Sequence, residues 1–284
     1  CTYNSSMNIQ QALHQAGKRL SDASPTALLD AQVLLSHVLQ CNTAHLVAWP
    51  EKELSDEQAA EFLRLIERRQ TGIPVSQLTG SKEFWSLNFS VDNSTLIPRP
   101  ETETLVEFIL DKFSGSENLK LLDMGTGTGA IAIAIGTEKP GWKIIASDVS
   151  PQALALAAQN SRDHQTDNIT FIHSNWFENI DQQDFDVIVS NPPYIASDDP
   201  HLSQGDVRFE PLSALSSGET GMDDIEHLCA HAKNHLSKNG WLIVEHGYNQ
   251  ERLVADCFTK NGYSEITQKM DLSGHVRMTA GKKL

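Results

Sequence analysis

Cysteine, long apolar runs and positive charge are all scarce in this sequence. Its four cysteines, Cys1, Cys41, Cys229 and Cys257, are scattered over 284 residues without a C-x-x-C pair. That excludes the spaced ligands of a structural zinc site and the framework of a disulfide-stapled domain, so the thiols read as reduced. No apolar segment approaches the roughly 20 residues that span a bilayer. The N-terminus has neither the basic nor the apolar segment of a secretion signal, so a cytoplasmic protein without membrane association is expected. Lysine and arginine number 22 against 37 acidic residues, a net charge of −15. Non-specific binding to a phosphate backbone depends on Lys and Arg displacing counterions, so no direct nucleic-acid substrate is expected. The six residues before Met7 read as a non-native leader and are set aside.

What is present can build a sizeable core, with 39% hydrophobic residues in a length suited to one large domain or two smaller ones. The charge is uneven. Residues 1–80 hold 6 basic and 8 acidic residues, which leaves −13 for the remainder and suggests two units. Residues 7–80 read as helical. Leu28, Leu35, Val38 and Leu39 recur at helical spacing after Pro25 in a first turn. Ser55-Asp56-Glu57-Gln58 is a capping box that opens a helix with Phe62, Leu65 and Ile66 on one face. Arg64, Arg68 and Arg69 close that helix, where cations complement its dipole. Residues 81–96 read as a linking hairpin, since Phe84, Trp85, Leu87, Phe89 and Val91 partly alternate. Residues 97–284 form the larger domain. From Leu119 onward strands alternate with helices: 119–123, a helix from Ala130, 143–148, a helix after Pro151, 169–173, 185–190, a helix near 223–236, then Trp241 to Val244. A closing pair of strands is expected in 262–282. Such alternation implies a mostly parallel sheet covered on both faces, with ligands at the carboxyl ends of its strands.

Two loops at that edge carry chemistry. The first, Asp123-Met124-Gly125-Thr126-Gly127-Thr128-Gly129, runs from a strand into a helix, and its glycines permit positive φ and close approach of backbone to a ligand. Alone it also fits a dinucleotide fingerprint. The spacing D-x-G-x-G-x-G favours S-adenosylmethionine, because Asp123 can address an ammonium group where it would repel a pyrophosphate. Asp148 ends the next strand, where a carboxylate can accept from both ribose hydroxyls, while Ser150 serves as the following helix cap. Trp176 and its neighbour Asn175 follow the third strand at the same edge. They are candidates for the adenine, with a core role for Trp176 equally open.

The second loop, Asn191-Pro192-Pro193-Tyr194, follows the strand 185–190. A planar amide or exocyclic amine is a poor nucleophile because its lone pair is delocalised, so a site must orient it and hold its hydrogens. Asn191 offers a side-chain oxygen and Pro192 a carbonyl, and the prolines fix the backbone so that both point one way. Tyr194 offers a flat, electron-rich face near a sulfonium methyl. No strong base is required, since the nitrogen becomes acidic only as it is alkylated. By itself the loop does not choose between a base and an amide. His227, His231 and His235 recur at helical spacing without a supporting carboxylate motif, so no metal is expected.

With these loops, Leu96-Ile97-Pro98-Arg99-Pro100-Glu101-Thr102-Glu103, Asp206-Val207-Arg208-Phe209-Glu210-Pro211-Leu212 and Glu245-His246-Gly247, the sequence resembles the HemK/PrmC family of protein-(glutamine-N5) methyltransferases over nearly its whole length from Met7. The run Ser216-Ser217-Gly218 departs from a Gly-rich pair common in that family. The resemblance implies an α/β, Rossmann-like class I methyltransferase domain with a mostly parallel seven-stranded sheet and a small N-terminal helical domain for substrate docking. It implies methyl transfer from S-adenosylmethionine to the glutamine of the Gly-Gly-Gln motif of class-1 peptide chain release factors, with S-adenosylhomocysteine as product. Gly125, Thr126, Gly127, Thr128, Gly129, Asp148, Trp176 and Asn191 would bind cofactor, and Asn191, Pro192, Pro193 and Tyr194 would hold the glutamine. The alternative is a DNA or RNA amino-methyltransferase acting on adenine N6 or cytosine N4, which would flip its base from a duplex and should carry a basic groove. A nucleotide-dependent oxidoreductase is disfavoured because nothing in residues 191–194 suits hydride transfer, and intact chemistry in both loops argues against a binding protein with a vestigial site.

Overall fold

The computed structural model describes residues 7–284, so residues 1–6, Cys1 among them, lie outside the described residues. The chain divides into two compact units that meet in sequence at Ser81 and Lys82.

The first unit is helical: α1 (Ile9–Leu20), α2 (Ala27–Leu39), α3 (Thr43–Ala48), α4 (Asp56–Gln70) and α5 (Val75–Thr79). Reciprocal side-chain caps start two of them. Asn8 and Gln11 exchange bonds at the head of α1, and Ser55 and Gln58 do so at the head of α4, satisfying amides that have no partner within the helix. The core joins Leu20, Leu34, Leu35, Phe62 and Ile66. Two expectations need correction. Leu28 is 55% exposed, because α2 begins only at Ala27 and turns Ala31, Leu34 and Leu35 inward. Arg69 does more than complement a helix dipole. It is buried, and its Nε donates to Asp30 Oδ2 at 2.7 Å while Nη1 donates to the carbonyls of Gly72 and Ile73. Both charged side chains are under 10% exposed, and removing one member of such a pair strands the other.

The second unit opens with the hairpin β1 (Ser81–Phe84) and β2 (Leu87–Ser90). Its two-residue turn puts Trp85 and Ser86 at φ 52° and 58°, a conformation that disfavours both side chains. Tertiary bonds hold it, since Trp85 N donates to Glu103 Oε1 at 2.8 Å and Trp85 Nε1 to Glu138 Oε1 at 3.0 Å.

After α6 (Glu103–Lys112) come β3 (Lys120–Met124), α7 (Ala130–Glu138), β4 (Lys143–Asp148), α8 (Pro151–Asp163), β5 (Ile169–His173), β6 (Phe185–Ser190), α9 (Asp223–His231), β7 (Leu236–Glu245), α10 (Glu251–Lys260), β8 (Ser264–Met270) and β9 (Val276–Lys282). Seven strands form one sheet in the order β5-β4-β3-β6-β7-β9-β8. The five strands from β5 to β7 pair in parallel, and β9 runs against both its neighbours. Alternate side chains supply two cores. Leu121, Val187, Val189 and Ile243 pack with α6 and α7 on one face, while Leu122, Ile188, Leu242 and Val244 pack with α9 and α10 on the other. Burial of both faces explains why these strands are apolar at nearly every position. The architecture is α/β and Rossmann-like, with a small helical unit and a hairpin ahead of it in the chain. Among the described residues no helix is long and apolar enough to cross a membrane.

Asp30→Ala should lower the stability of the full chain by about 3 kcal/mol or more, read from urea unfolding followed by circular dichroism. Loss of less than about 1 kcal/mol would show that Arg69 does not depend on the pair.

Candidate active site

The chain leaves β3 outward through β4 and β5 and then returns to β6 on the other flank of β3, which makes the carboxyl end of β3 the point where strand order reverses. A cavity of about 520 Å³ opens there, with Gly125, Gly127, Asp148, Trp176, Asn191 and Pro193 in its wall. Thr126, Thr128 and Asn175 also line it. Gly125 and Gly127 sit at φ 68° and 56°, a conformation favouring glycine, and a Cβ at Gly125 would meet nothing within 4 Å. The loop is tied to the neighbouring strand: Thr126 N donates to Ser147 O at 2.9 Å and Gly127 N to Asp148 Oδ2 at 2.9 Å. The other Asp148 oxygen takes Ser150 N at 2.9 Å, leaving Ser150 Oγ to cap α8 through Ala153 N at 3.2 Å. Burial raises the Asp148 pKa, and the backbone donors oppose that rise. Trp176 stands in the wall with Nε1 donating to Asp224 Oδ1 at 3.2 Å.

Asp123 and Gly129 stand apart from the other loop residues. Neither lines the cavity. Asp123 is wholly buried, and its Oδ2 accepts from Thr126 Oγ1 at 2.6 Å and from Ala132 N at 3.2 Å, so the carboxylate clamps the loop to the start of α7 from behind. Oδ1 has no hydrogen-bond partner. Gly129, at φ 82°, has Ile133 Cδ1 and Ala157 Cβ at 2.8 and 3.2 Å from the place a Cβ would take. Its constraint is helix packing.

Asn191 marks the boundary of a second chamber, about 250 Å³, lined also by Pro192, Tyr194, Glu245, Arg277 and Glu101. The Asn191 amide nitrogen donates to Thr102 Oγ1 at 3.1 Å, while its Oδ1 is buried without a partner. The Tyr194 hydroxyl donates to Glu245 Oε1 at 3.2 Å. Burial and the adjacent Glu245 raise the phenol pKa, so the hydroxyl stays a donor. The Tyr194 carbonyl accepts from Gln250 Nε2 at 3.0 Å and would lie 2.3 Å from a Cβ at Gly221, so only glycine fits there. Ser216 and Ser217, in the run that departs from the family pattern, bridge to Ile195 and brace the far end of the loop.

Several residues escaped the sequence reading of roles. Glu210 is buried and accepts from Ile97 N at 3.0 Å and from the Arg99 guanidinium, which fastens the run 96–103 to the run 206–212. Burial raises its pKa against the pull of Arg99. Thr95 lines the large cavity with a buried, unpartnered hydroxyl. Thr102 lines the larger cavity and Glu245 the second chamber. The only sequence signal for Glu210, Thr102 and Glu245 was membership of the runs 96–103, 206–212 and 245–247, and Thr95 had none, because the partners of such residues are remote in the chain. His227 and His231 stack with ring centroids 4.2 Å apart, and His235, beyond the end of α9, stacks on Phe177 at 4.7 Å. Among the described residues no cluster of three or more His, Cys, Asp or Glu could hold a metal ion.

The sheet, the strand-to-helix glycine loop and the Asn-Pro-Pro-Tyr loop define a methyltransferase. A family model for the methyltransferase small domain matches residues 101–205, and one for the PrmC N-terminal domain matches residues 11–80. Release factor glutamine methyltransferase of Shewanella oneidensis is 44% identical, covering 96% of both chains. That of Escherichia coli is 43% identical over 97% of this chain and 99% of its own. The chain belongs to the release factor glutamine methyltransferase family. Solved structures share the fold at low identity. A methyltransferase from Pyrococcus furiosus aligns over 78% of this chain and 97% of its own at 16% identity and TM-score 0.53. The hMettl16 catalytic domain, solved with an MAT2A 3′UTR hairpin, aligns over 81% of each at 16% identity and TM-score 0.56.

Burial pushes the Asp123 pKa up to about 7 from 3.8, with Thr126 and Ala132 opposing. The native state therefore holds a proton that the unfolded chain has released, and this group's contribution to stability falls as pH rises between about 4 and 7. Asp123→Asn should remove that dependence. Its melting temperature relative to the parent should be higher at pH 8 than at pH 5, and an equal difference at both would contradict a raised pKa.

Proposed function

We propose that the chain transfers a methyl group from S-adenosylmethionine to the side-chain amide nitrogen, N5, of the glutamine in the Gly-Gly-Gln motif of class-1 peptide chain release factors. The observation that carries this reading is Asn191 Oδ1, a buried acceptor without a partner in a residue that borders both chambers. An orphaned buried acceptor costs free energy unless a ligand donor meets it, and an amide N–H is such a donor.

The residues present fit the cofactor. The larger chamber, about 520 Å³, is within the usual range for small-molecule sites. Asp148 keeps lone pairs free for ribose hydroxyls beyond its backbone donors, Trp176 and Asn175 in the cavity wall would take the adenine, and the Gly125 to Thr128 backbone would take the amino-acid portion. Asp123 acts from behind the loop through Thr126. When bound, S-adenosylmethionine supplies a methyl group on a sulfonium; the amide nitrogen's lone pair forms the new bond while the sulfur keeps the electrons of the old one. Asn191 Oδ1 and the Pro192 carbonyl hold the amide hydrogens and favour a pyramidal nitrogen. Pro192 and Pro193 remove backbone freedom, so the acceptors need no reorganisation on binding. Tyr194 gives the planar group a flat wall, and the proton leaves to water after alkylation has made it acidic.

The 7–80 unit is read as the docking domain. Leu28, Leu29, Val47 and Trp49 are large apolar residues exposed on it, side chains that suit contact with a protein partner. The unfavourable charge of the catalytic half, −13 after residue 80, speaks against a nucleic-acid duplex as substrate.

Labelled S-adenosylmethionine given with a release factor should label that factor and leave its Gly-Gly-Ala variant unlabelled. Equal label on both, or label on DNA in their place, would refute glutamine specificity. Asn191→Ala should lose on the order of 10²-fold or more in kcat with the fold intact, and near-normal turnover would remove Asn191 from its role. Trp49→Ala combined with Leu28→Ser should raise KM for the release factor several-fold and leave kcat alone. An unchanged KM would take docking away from this surface.

A further inference from the structure

The side chains of glutamine and glutamate have almost the same shape. A chamber that admits one and refuses the other must therefore read charge or hydrogen bonds, because packing discriminates poorly between isosteres.

Glu245 ends β7, is 1% exposed and lines the second chamber. Its Oε1 accepts from the Tyr194 hydroxyl at 3.2 Å, and its Oε2 is buried without a partner. A carboxylate in water is met by donors on both oxygens, so one that keeps a single neutral donor on burial has much of its charge uncompensated. Burial pushes the Glu245 pKa up to about 7, with Tyr194 and Arg277 opposing the rise and Glu101 adding to it. Above that pH the group is ionised.

The cations nearby do not cancel this charge. Arg99 and Arg277 line the same chamber, but Arg99 is paired with Glu210 and Arg277 Nε donates to Asp271 Oδ2 at 3.1 Å. Glu101 lines the chamber as well. Two guanidinium groups thus stand against the carboxylates of Glu101, Glu210, Glu245 and Asp271, which leaves the wall with an excess of negative charge. His246, next in the chain, turns its ring nitrogens to Thr279 Oγ1 and the Gly247 carbonyl, and burial lowers its pKa, so it adds no cation. Charges in a buried wall are weakly screened, and an anion set beside them is strongly repelled. A neutral carboxamide feels no such repulsion, and its N–H end is the positive end of its dipole.

We infer that Glu245 is a specificity-determining residue whose half-satisfied carboxylate gives the second chamber a negative wall that admits the glutamine carboxamide and excludes a glutamate carboxylate; the inference rests on the reading of this chamber as the glutamine site.

The test uses the full chain loaded with S-adenosylhomocysteine, which has no methyl group to transfer, at pH 8, where Glu245 and a glutamate acceptor are both largely ionised. Titration calorimetry gives Kd for a release factor and for its Gly-Gly-Glu variant. The parent enzyme should bind the Gly-Gly-Glu factor at least about tenfold more weakly than the Gly-Gly-Gln factor. Glu245→Gln keeps the shape and removes the charge. It should bring the two values within about threefold of each other by tightening the Gly-Gly-Glu complex. Glu245→Asp keeps the charge and should retain most of the discrimination. A purely structural defect would weaken both complexes alike and leave their ratio where it was. An unchanged ratio in the Gln variant, a ratio as low in the Asp variant as in the Gln variant, or a parent that binds both factors equally would each overturn the inference. Failure of the parent to label any release factor would refute the substrate reading instead. Charge selection is then decided with capped Gly-Gly-Gln and Gly-Gly-Glu tripeptides, followed through the side-chain amide resonances of Asn191. A preference for the amide that disappears in Glu245→Gln would sustain the inference, and no preference in the parent would overturn it.

Discussion

The parallel pairing of β3 with β6 is the constraint on which the site depends. Their last partners are Met124 and Ser190, and the Ser190 hydroxyl donates to the Met124 carbonyl at 2.7 Å. The glycine loop leaves one strand and the Asn-Pro-Pro-Tyr loop leaves the other, so this register sets the distance between the two loops. A methyl donor and a methyl acceptor can be brought into line only if that distance is fixed before either binds. A register slip of one residue would also turn the Val187 and Val189 face of β6 to the opposite core. The packing that stabilises the sheet therefore also protects the geometry of the site.

Much of this was legible because it is local. The bounds of β4, β5 and β6 coincide with the apolar runs 143–148, 169–173 and 185–190, and the start of α7 follows directly from Gly129. Both loops are contiguous in the chain, so pattern and chemistry could be read together. The differences concern which way a side chain points. Asp123 is the last residue but one of β3; Leu122 and Met124 face one core and Asp123 faces α7, so its carboxylate supports the loop from outside the cavity wall. Leu28 fits a helical stripe that the true start of α2 rotates into solvent. Partnerships at long range left no trace in local pattern. Asp30 meets Arg69 across 39 positions, and Ile97 meets Glu210 across 113.

The acidic balance takes on a more definite meaning once burial is known. Asp123, Glu210 and Glu245 are all buried, and each has its pKa raised by desolvation. Burying carboxylates is costly unless donors meet them, and donors on different segments of the site meet both oxygens of Glu210, from Ile97 and Arg99 in the run before α6, and one oxygen each of Asp123 and Glu245, from Thr126 in the glycine loop and Tyr194 in the Asn-Pro-Pro-Tyr loop, while Asp123 Oδ1 and Glu245 Oε2 are left without a partner. The buried carboxylates act as anchors for loops that would otherwise have no regular structure. This work is separate from the surface charge that disfavours a phosphate backbone.

A transfer that needs no strong base, as proposed for this site, has little besides orientation with which to lower its barrier, and orientation must be supplied by the residues around the Asn-Pro-Pro-Tyr loop as well as by those in it. The run 96–103 is placed to do this. Glu210 holds it at Ile97 and Arg99, Glu103 at its end fixes the hairpin turn through Trp85 N, and between them Thr102 takes the Asn191 amide nitrogen. Slackening any of these contacts would leave both chambers present while loosening Asn191, which borders both. Remote contacts in this unit should therefore be felt in turnover before they are felt in the affinity for either ligand.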